Sequence, residues 1–170
     1  MTPTPEAHPD SVNGRFADYL ATKKEAILAE WIHRVRHDAA IVPAESLNTL
    51  ALEDHLPQLL DDLTNTLRRY HSEAVAGQAE KDAEAHGVTR LRQGYELPEL
   101  LRELKHLRAV LIFHLRTFED INSDDGMAAR LFISTTLHEF LDEMAIDGVE
   151  EYIVAQLSQP DRLALEKTRC

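Results

Sequence analysis

Residues 80–98 read EKDAEAHGVTRLRQGYELP and lead directly into a long amphipathic segment. His86 and Arg90 are four positions apart, so on a helix they share one face. Gly94 is placed to end this helix, because glycine adopts the left-handed C-cap conformation without steric cost. Pro98 is placed in the first turn of the next helix, where a backbone N–H has no partner to lose. The stretch therefore predicts two consecutive helices joined by a tight corner, with a titratable histidine on the first.

The segment from residue 98 to residue 118 has its apolar side chains at the helical period. They are Leu100, Leu101, Leu104, Leu107, Val110, Leu111, Leu115 and Phe118. The same period recurs along the chain, and no stretch alternates in the manner of a strand, so the fold class is all-α. The predicted helices cover about residues 13–38, 54–70, 78–93, 98–119 and 126–157, with a short turn over 46–52 capped by Ser46 and a connection over 71–77.

A length of 170 residues suits one domain with a real core. The predicted domain covers residues 13–158. Residues 1–12 contain three prolines and are expected to form a flexible tail. Residues 159–170 are charged and are expected to begin a linker.

The composition excludes several classes of protein. A net charge of -12 repels phosphate backbones, which disfavours nucleic-acid binding. The single cysteine, Cys170, allows no disulfide within one chain, which fits a reducing cytoplasm. The most apolar run, residues 107–115, is short and contains Arg108 and His114, so we expect no membrane span.

The last two predicted helices are apolar over a wider arc than one core requires. Such an arc indicates a second partner, and two helices from each of two chains would form a four-helix bundle. We therefore predict a homodimer, with a monomer in which both helices are central as the alternative. The candidate interface residues are Phe113, Ile133, Leu137, Phe140 and Met144.

Metal and catalytic sites are not predicted. Glu30-x-x-His33 and Glu103-x-x-His106 match the Glu-x-x-His element of di-iron bundles, but His33 and His106 project away from the apolar stripes of their helices. The chain has no nucleophile in a Gly-x-Ser-x-Gly setting and no glycine-rich phosphate loop. We expect no cofactor and no enzymatic activity.

His86 supports two interpretations. In globins, a histidine on the helix that corresponds to this one is the proximal haem ligand, so a haem-binding gas sensor is one hypothesis. The neighbouring Glu84, Arg90 and Arg92 make the surroundings polar. That polarity favours a structural or ligand-contacting pair formed by His86 and Arg90.

The pattern His86-Gly87-x-x-Arg90-x-x-x-Gly94-Tyr95-x-Leu97, continued by Leu101, Glu103 and Leu107-Arg108, resembles a known family. It is similar to the N-terminal non-haem globin sensor domain of RsbR-type stressosome co-antagonists, a module that also heads some bacterial sensor histidine kinases. The earlier segment Asp54-His55-Leu56-Pro57 matches the same family. The resemblance covers roughly residues 14–157.

This resemblance implies a globin-like, haem-free domain that dimerises through its last helices and signals to a C-terminal output domain. That output would be a histidine kinase or an anti-sigma-antagonist domain. The residues after Pro160 are too few for either, so we expect an excised sensor domain or a stand-alone module. The resemblance transfers no catalytic residue.

The sequence thus predicts a non-catalytic, cytoplasmic domain that relays a stress or ligand signal by shifting the helix after Pro98 against the last helix. The candidate sensing residues are His86, Arg90, Tyr95 and Arg108. A buried arginine must be paired, so we expect Glu103 or another carboxylate beside one of them. A scaffold whose acidic surface binds a basic partner is a further alternative.

Overall fold

The computed structural model describes residues 12–68 and 73–158, and side chains at 12–68 and 81–158. These residues form helices and short connections without a strand, so the all-α, globin-like fold predicted from the sequence is confirmed. In chain order the elements are α1 (Val12–Arg36), a 3-10 turn (Val42–Glu45), α2 (Thr49–Glu53), α3 (Leu56–Arg68), α4 (Glu73–Arg92), α5 (Leu97–Ile121) and α6 (Met127–Ser158).

Two local predictions are wrong. The connection expected over residues 71–77 is helical from Glu73 onward, because the alanines and glutamate of this stretch favour a helix by propensity even though its apolar pattern is weak. The cap of α2 is Asn48 rather than Ser46: the Asn48 side chain accepts from the Ala51 N–H at 2.8 Å. Ser46 donates instead to the Pro43 carbonyl. Of the predicted tail and linker, only residue 12 lies within the described part.

The core lies between the apolar faces of α1, α3, α5 and α6. Trp31 of α1 is buried at its centre, and its indole N–H donates to the Glu103 carbonyl of α5 at 3.3 Å. Phe16 of the same helix packs against Phe118 of α5, with ring centroids 5.1 Å apart. This arrangement brings the first turns of α5 close to the residues that join α2 to α3.

α4 and α6 cross in direct backbone contact. A Cβ atom built on Gly87 would lie 1.9 Å from the carbonyl oxygen of Gly148, so only glycine fits at this crossing. Near the end of α6, the Tyr152 hydroxyl donates to the Tyr95 carbonyl at 2.7 Å. Two contacts therefore hold α6 against α4 and the corner that follows it.

The residues predicted to form a dimer interface mostly face the core of their own chain. Ile133 and Leu137 are fully buried and Met144 is 6% exposed, so their assignment to an interface is wrong. Phe140 is half-buried against the same core, and Phe113 is 54% exposed. α6 has apolar side chains on two faces. The face with the more regular stripe packs against the core of its own chain, and this is the stripe that was predicted to form the interface.

A second apolar stripe lies on the outer face of α6. On a helical projection its members fall within about 80° of one another, on the side opposite the buried residues. Their exposed fractions range from 38% to 81%. They are Leu131, Ile146, Ile153 and Leu157.

Candidate functional site

A cluster of buried charged side chains lies where α4 and α5 meet the α2–α3 corner, defined here as residues 48–55. At its centre Arg90 of α4 is fully buried and Glu103 of α5 is 1% exposed. The Arg90 Nε atom lies 2.8 Å from Glu103 Oε2, and Nη2 lies 2.7 Å from Oε1. This two-point contact is the strong geometry for a guanidinium and a carboxylate. The pairing of a buried arginine with Glu103, expected from the sequence, is confirmed.

The rest of the Arg90 guanidinium holds the α2–α3 corner. Nη2 donates to the Leu52 carbonyl at 2.5 Å, and Nη1 donates to the Ala51 carbonyl at 3.3 Å. Gln93, the first residue after α4, accepts from Nη1 at 2.7 Å and donates to the same Ala51 carbonyl at 3.0 Å. Carbonyls at the end of a helix lack partners within the helix, and here the side chains of Arg90 and Gln93 supply them.

His86 lies between two carboxylates. Its Nε2 atom is 3.1 Å from Glu103 Oε1, and its Nδ1 atom is 3.3 Å from Asp54 Oδ2. The imidazole is 3% exposed. Although Nδ1 and Oδ2 are close, neither atom makes a well-aligned hydrogen bond within the described residues. The contact with Asp54 is therefore mainly electrostatic. The contact with Glu103 is shorter, and the His86 Nε2 atom has a hydrogen-bond partner.

The charges shift each other's pKa in the directions that keep the cluster ionised. Burial alone would lower the pKa of His86, but the adjacent Asp54 and Glu103 side chains raise it overall. Burial alone would raise the pKa of Glu103, but His86 and Arg90 lower it overall. The cluster thus favours the imidazolium form of His86 and the carboxylate form of Glu103.

Tyr95, another of the candidate sensing residues, borders the cluster. Gly94 has a φ of 85°, which ends α4 and turns the chain so that Tyr95 comes back over Arg90. The Arg90 Cζ atom lies 5.2 Å from the centre of the tyrosine ring, within the range of a cation–π contact. Burial, together with the nearby Glu103 carboxylate, raises the pKa of the Tyr95 hydroxyl.

Arg108 does not belong to this cluster, so its grouping with His86 and Arg90 is wrong. It lies five positions after Glu103 on α5, which turns it about 140° away around the helix. Its side chain is 36% exposed and forms an ion pair with Asp142 of α6. It also donates to His138 at 3.0 Å.

Sequence reasoning missed the roles of Asp54, Gln93 and the α2 carbonyls. Asp54 was noticed only as part of a motif, because it is far from His86 in the sequence and no periodicity relates the two. The one available signal was the rule that a buried cation needs an acidic partner. That rule applies to His86 as well as to Arg90, and so called for a second carboxylate.

The geometry of His86 does not fit haem ligation. A proximal ligand presents an unprotonated ring nitrogen to iron, whereas both ring nitrogens of His86 face carboxylates. The next residue, Gly87, is in contact with the α6 backbone, which leaves no space for a porphyrin on that side. Among the described residues, no group of three or more acidic, histidine or cysteine side chains is arranged to hold a metal ion.

Comparison with known families matches this chain to the RsbT co-antagonist protein rsbRD N-terminal domain over residues 25–166. The chain belongs to this family. RsbRD N-terminal domains are stressosome-type sensor domains, and the match includes every residue of the buried cluster. No curated protein and no solved structure matches the chain. Within the part that the structure describes, every helix is too short or too polar to cross a lipid bilayer.

Proposed function

We propose that this RsbRD N-terminal domain is a non-catalytic, cytoplasmic sensor that forms a homodimer and transmits the state of its buried charged cluster to a C-terminal output domain. The output would be a histidine kinase or an anti-sigma-antagonist domain of a stressosome. The single observation that carries the proposal is the cluster itself, in which His86 and Arg90 are buried between Asp54 and Glu103.

A buried cluster of this kind contributes little to stability compared with apolar residues of the same volume, because desolvating the charges costs as much as their attraction returns. Removing or neutralising one member, however, leaves another charge buried without a partner. The conformation of the surrounding helices therefore depends strongly on the charge of each member. That dependence is the property that a sensor needs.

The contacts of α4 with α6 supply a route out of the cluster. His86 is adjacent to Gly87, whose backbone is in contact with Gly148. No side chain separates the two backbones at this point, so a displacement of α4 must displace α6. Small helix shifts of about 1–2 Å are a common form of signal transmission between domains and subunits.

The outer stripe of α6 supports the homodimer. Its leucines and isoleucines lie on the face opposite the core, where burial against a second copy would stabilise association. A two-fold interface places the same stripe of both chains together, so one apolar face is enough. Of the five interface residues predicted from the sequence, Phe113 of α5 is the one that is well exposed.

The proposal is tested by measuring the dimer dissociation constant of the complete chain by sedimentation equilibrium. We expect the wild type to dimerise and His86→Gln to change the dissociation constant by about tenfold, which corresponds to ~1.4 kcal/mol and lies within the usual range of coupling between sites. His37→Gln is the matched control, at an exposed histidine just after the end of α1, and it should have no effect.

The same assay locates the interface. Ile146→Lys should abolish the dimer, whereas Val42→Lys should not, because Val42 is an exposed apolar residue on the 3-10 turn and not on the outer stripe of α6. A wild-type chain that stays monomeric would disprove the homodimer. Equal dissociation constants for the wild type and His86→Gln would disprove transmission from the cluster to α6.

A further inference from the structure

The α2–α3 corner contains a residue with a strained backbone, Asp54. Asp54 has a φ of 46° and a ψ of -121°, and among the described residues no other non-glycine has a positive φ. These angles are those of the first central residue of a type II′ turn, a position that favours glycine. An aspartate keeps such a conformation only where its surroundings hold it there.

Two sets of contacts hold this corner, and they differ in chemistry. Before Asp54, Arg90 and Gln93 donate to the carbonyls of Ala51 and Leu52, and these bonds do not depend on a titratable group near neutral pH. At Asp54 itself, the carboxylate faces His86 at 3.3 Å. The nearest guanidinium nitrogen of Arg90 is further away, at 3.9 Å.

The groups that face His86 come from each element packed around it. Asp54 comes from the corner, Glu103 from α5 and Arg90 from α4 itself. α6 lies against the neighbouring Gly87 through the backbone of Gly148. The exposed side of Asp54 is bordered by His55, whose Nε2 lies 3.5 Å from Oδ1 and whose side chain is 37% exposed.

We propose that the α2–α3 corner is a pH-dependent element: it stays closed while His86 carries its proton, and it opens at its Asp54 end when His86 loses that proton. A neutral imidazole no longer offsets the partly buried Asp54 carboxylate, and the strained backbone then relaxes toward solvent. Arg90 keeps its contact with Glu103, so the opening is local. This regulation rests on the proposed sensory role of the cluster.

The direction of the pH dependence follows from the two shifted groups. The pKa of His86 is raised above its ordinary 6.5, so its contribution to the closed state is complete below pH 6.5 and is lost as pH rises through the raised value. The pKa of Glu103 is lowered below its ordinary 4.5, so its contribution is complete above pH 4.5 and is lost only under more acidic conditions. The corner is therefore closed most firmly between these limits and opens on the alkaline side.

Amide hydrogen exchange followed by NMR on the complete chain tests this inference. The Leu52 and Asp54 amides donate to the Asn48 and Leu50 carbonyls and report the closed corner. Their protection factors should fall as pH rises through the titration of the His86 imidazole, by about tenfold for each pH unit by which the pKa of His86 in the closed corner exceeds its pKa in the open corner. Amides in the middle of α1 should keep their protection. Corner protection that stays constant while His86 titrates would overturn the proposal.

Two variants of Asp54 separate the charge from the strain. Asp54→Asn has the same shape and backbone preference but no carboxylate, so its corner should be open at every pH. Asp54→Gly also lacks the carboxylate but relieves the strain, so its corner should be closed at every pH. A wild-type pH dependence in either variant would overturn the inference. Failure here, with an intact effect of His86→Gln on dimerisation, would leave the proposed function standing.

Discussion

Among the arginine–carboxylate pairs that involve α5, Arg90–Glu103 and Arg108–Asp142 have completely different surroundings. Arg90 and Glu103 are both at most 1% exposed, and the guanidinium contacts both carboxylate oxygens. The side chains of Arg108 and Asp142 are 36% and 61% exposed. The same two functional groups thus form one pair inside the domain and one on its surface.

This difference determines what each pair can do. In water, an exposed pair gains little, because solvent and salt screen the charges and both side chains lose freedom. In the interior, each charge depends on its partner, and a third group such as His86 alters the balance of the whole set. The buried pair can therefore control conformation, whereas the exposed pair adjusts the fit between α5 and α6.

The largest effect is expected from Glu103→Leu. This change leaves Arg90 and His86 buried beside a single remaining carboxylate, Asp54, so the free energy of unfolding should fall by about 3–5 kcal/mol. Urea denaturation followed by circular dichroism measures the change. A loss below about 1 kcal/mol would show that the cluster is solvated and would remove the contrast with the surface pair.

A smaller loss is expected from Gly87→Ala. This change tests whether α4, which carries Arg90 of the buried pair, is held firmly against α6, which carries Asp142 of the exposed pair. The added methyl would meet the Gly148 carbonyl at 1.9 Å, and a backbone atom cannot rotate away. We expect a loss of about 3 kcal/mol, the upper end for overpacking, in the same denaturation assay.

Gly126→Ala is the matched control for that change. A Cβ atom at this position meets nothing within 4 Å, so the substitution should cost only the preference for glycine over alanine at a helix N-cap, at most about 1 kcal/mol. Equal stabilities for the two alanine variants would show that the two helices separate easily. The cluster would then have no direct mechanical contact with α6.

Much of the fold could be predicted from the sequence because it depends on local signals. Gly94 with Pro98 marked the corner between α4 and α5, and the helical period located α1, α5 and α6 to within a few residues. The start of α4 could not be located in this way, because propensity rather than a regular apolar stripe makes residues 73–77 helical.

The site was only partly predictable, because its members come from different elements. The spacing of His86 and Arg90 placed both on one helix face, and the cost of a buried charge required a carboxylate such as Glu103. Arg108 was misplaced because proximity along α5 was taken for proximity in space. Asp54 was missed because its position depends on a strained turn, which no sequence rule predicts for an aspartate.

The smallest effect is expected from Arg108→Ala, which removes the exposed pair. Its contacts with Asp142 and His138 lie at the surface, so the loss should be at most about 1 kcal/mol and should shrink further as salt is added. Denaturation at low and at high salt concentration measures both quantities, with Glu103→Leu for comparison, whose effect should depend little on salt because its charges are buried. If the loss from Arg108→Ala instead approached that of Glu103→Leu and persisted at high salt, burial would not be what distinguishes the two pairs.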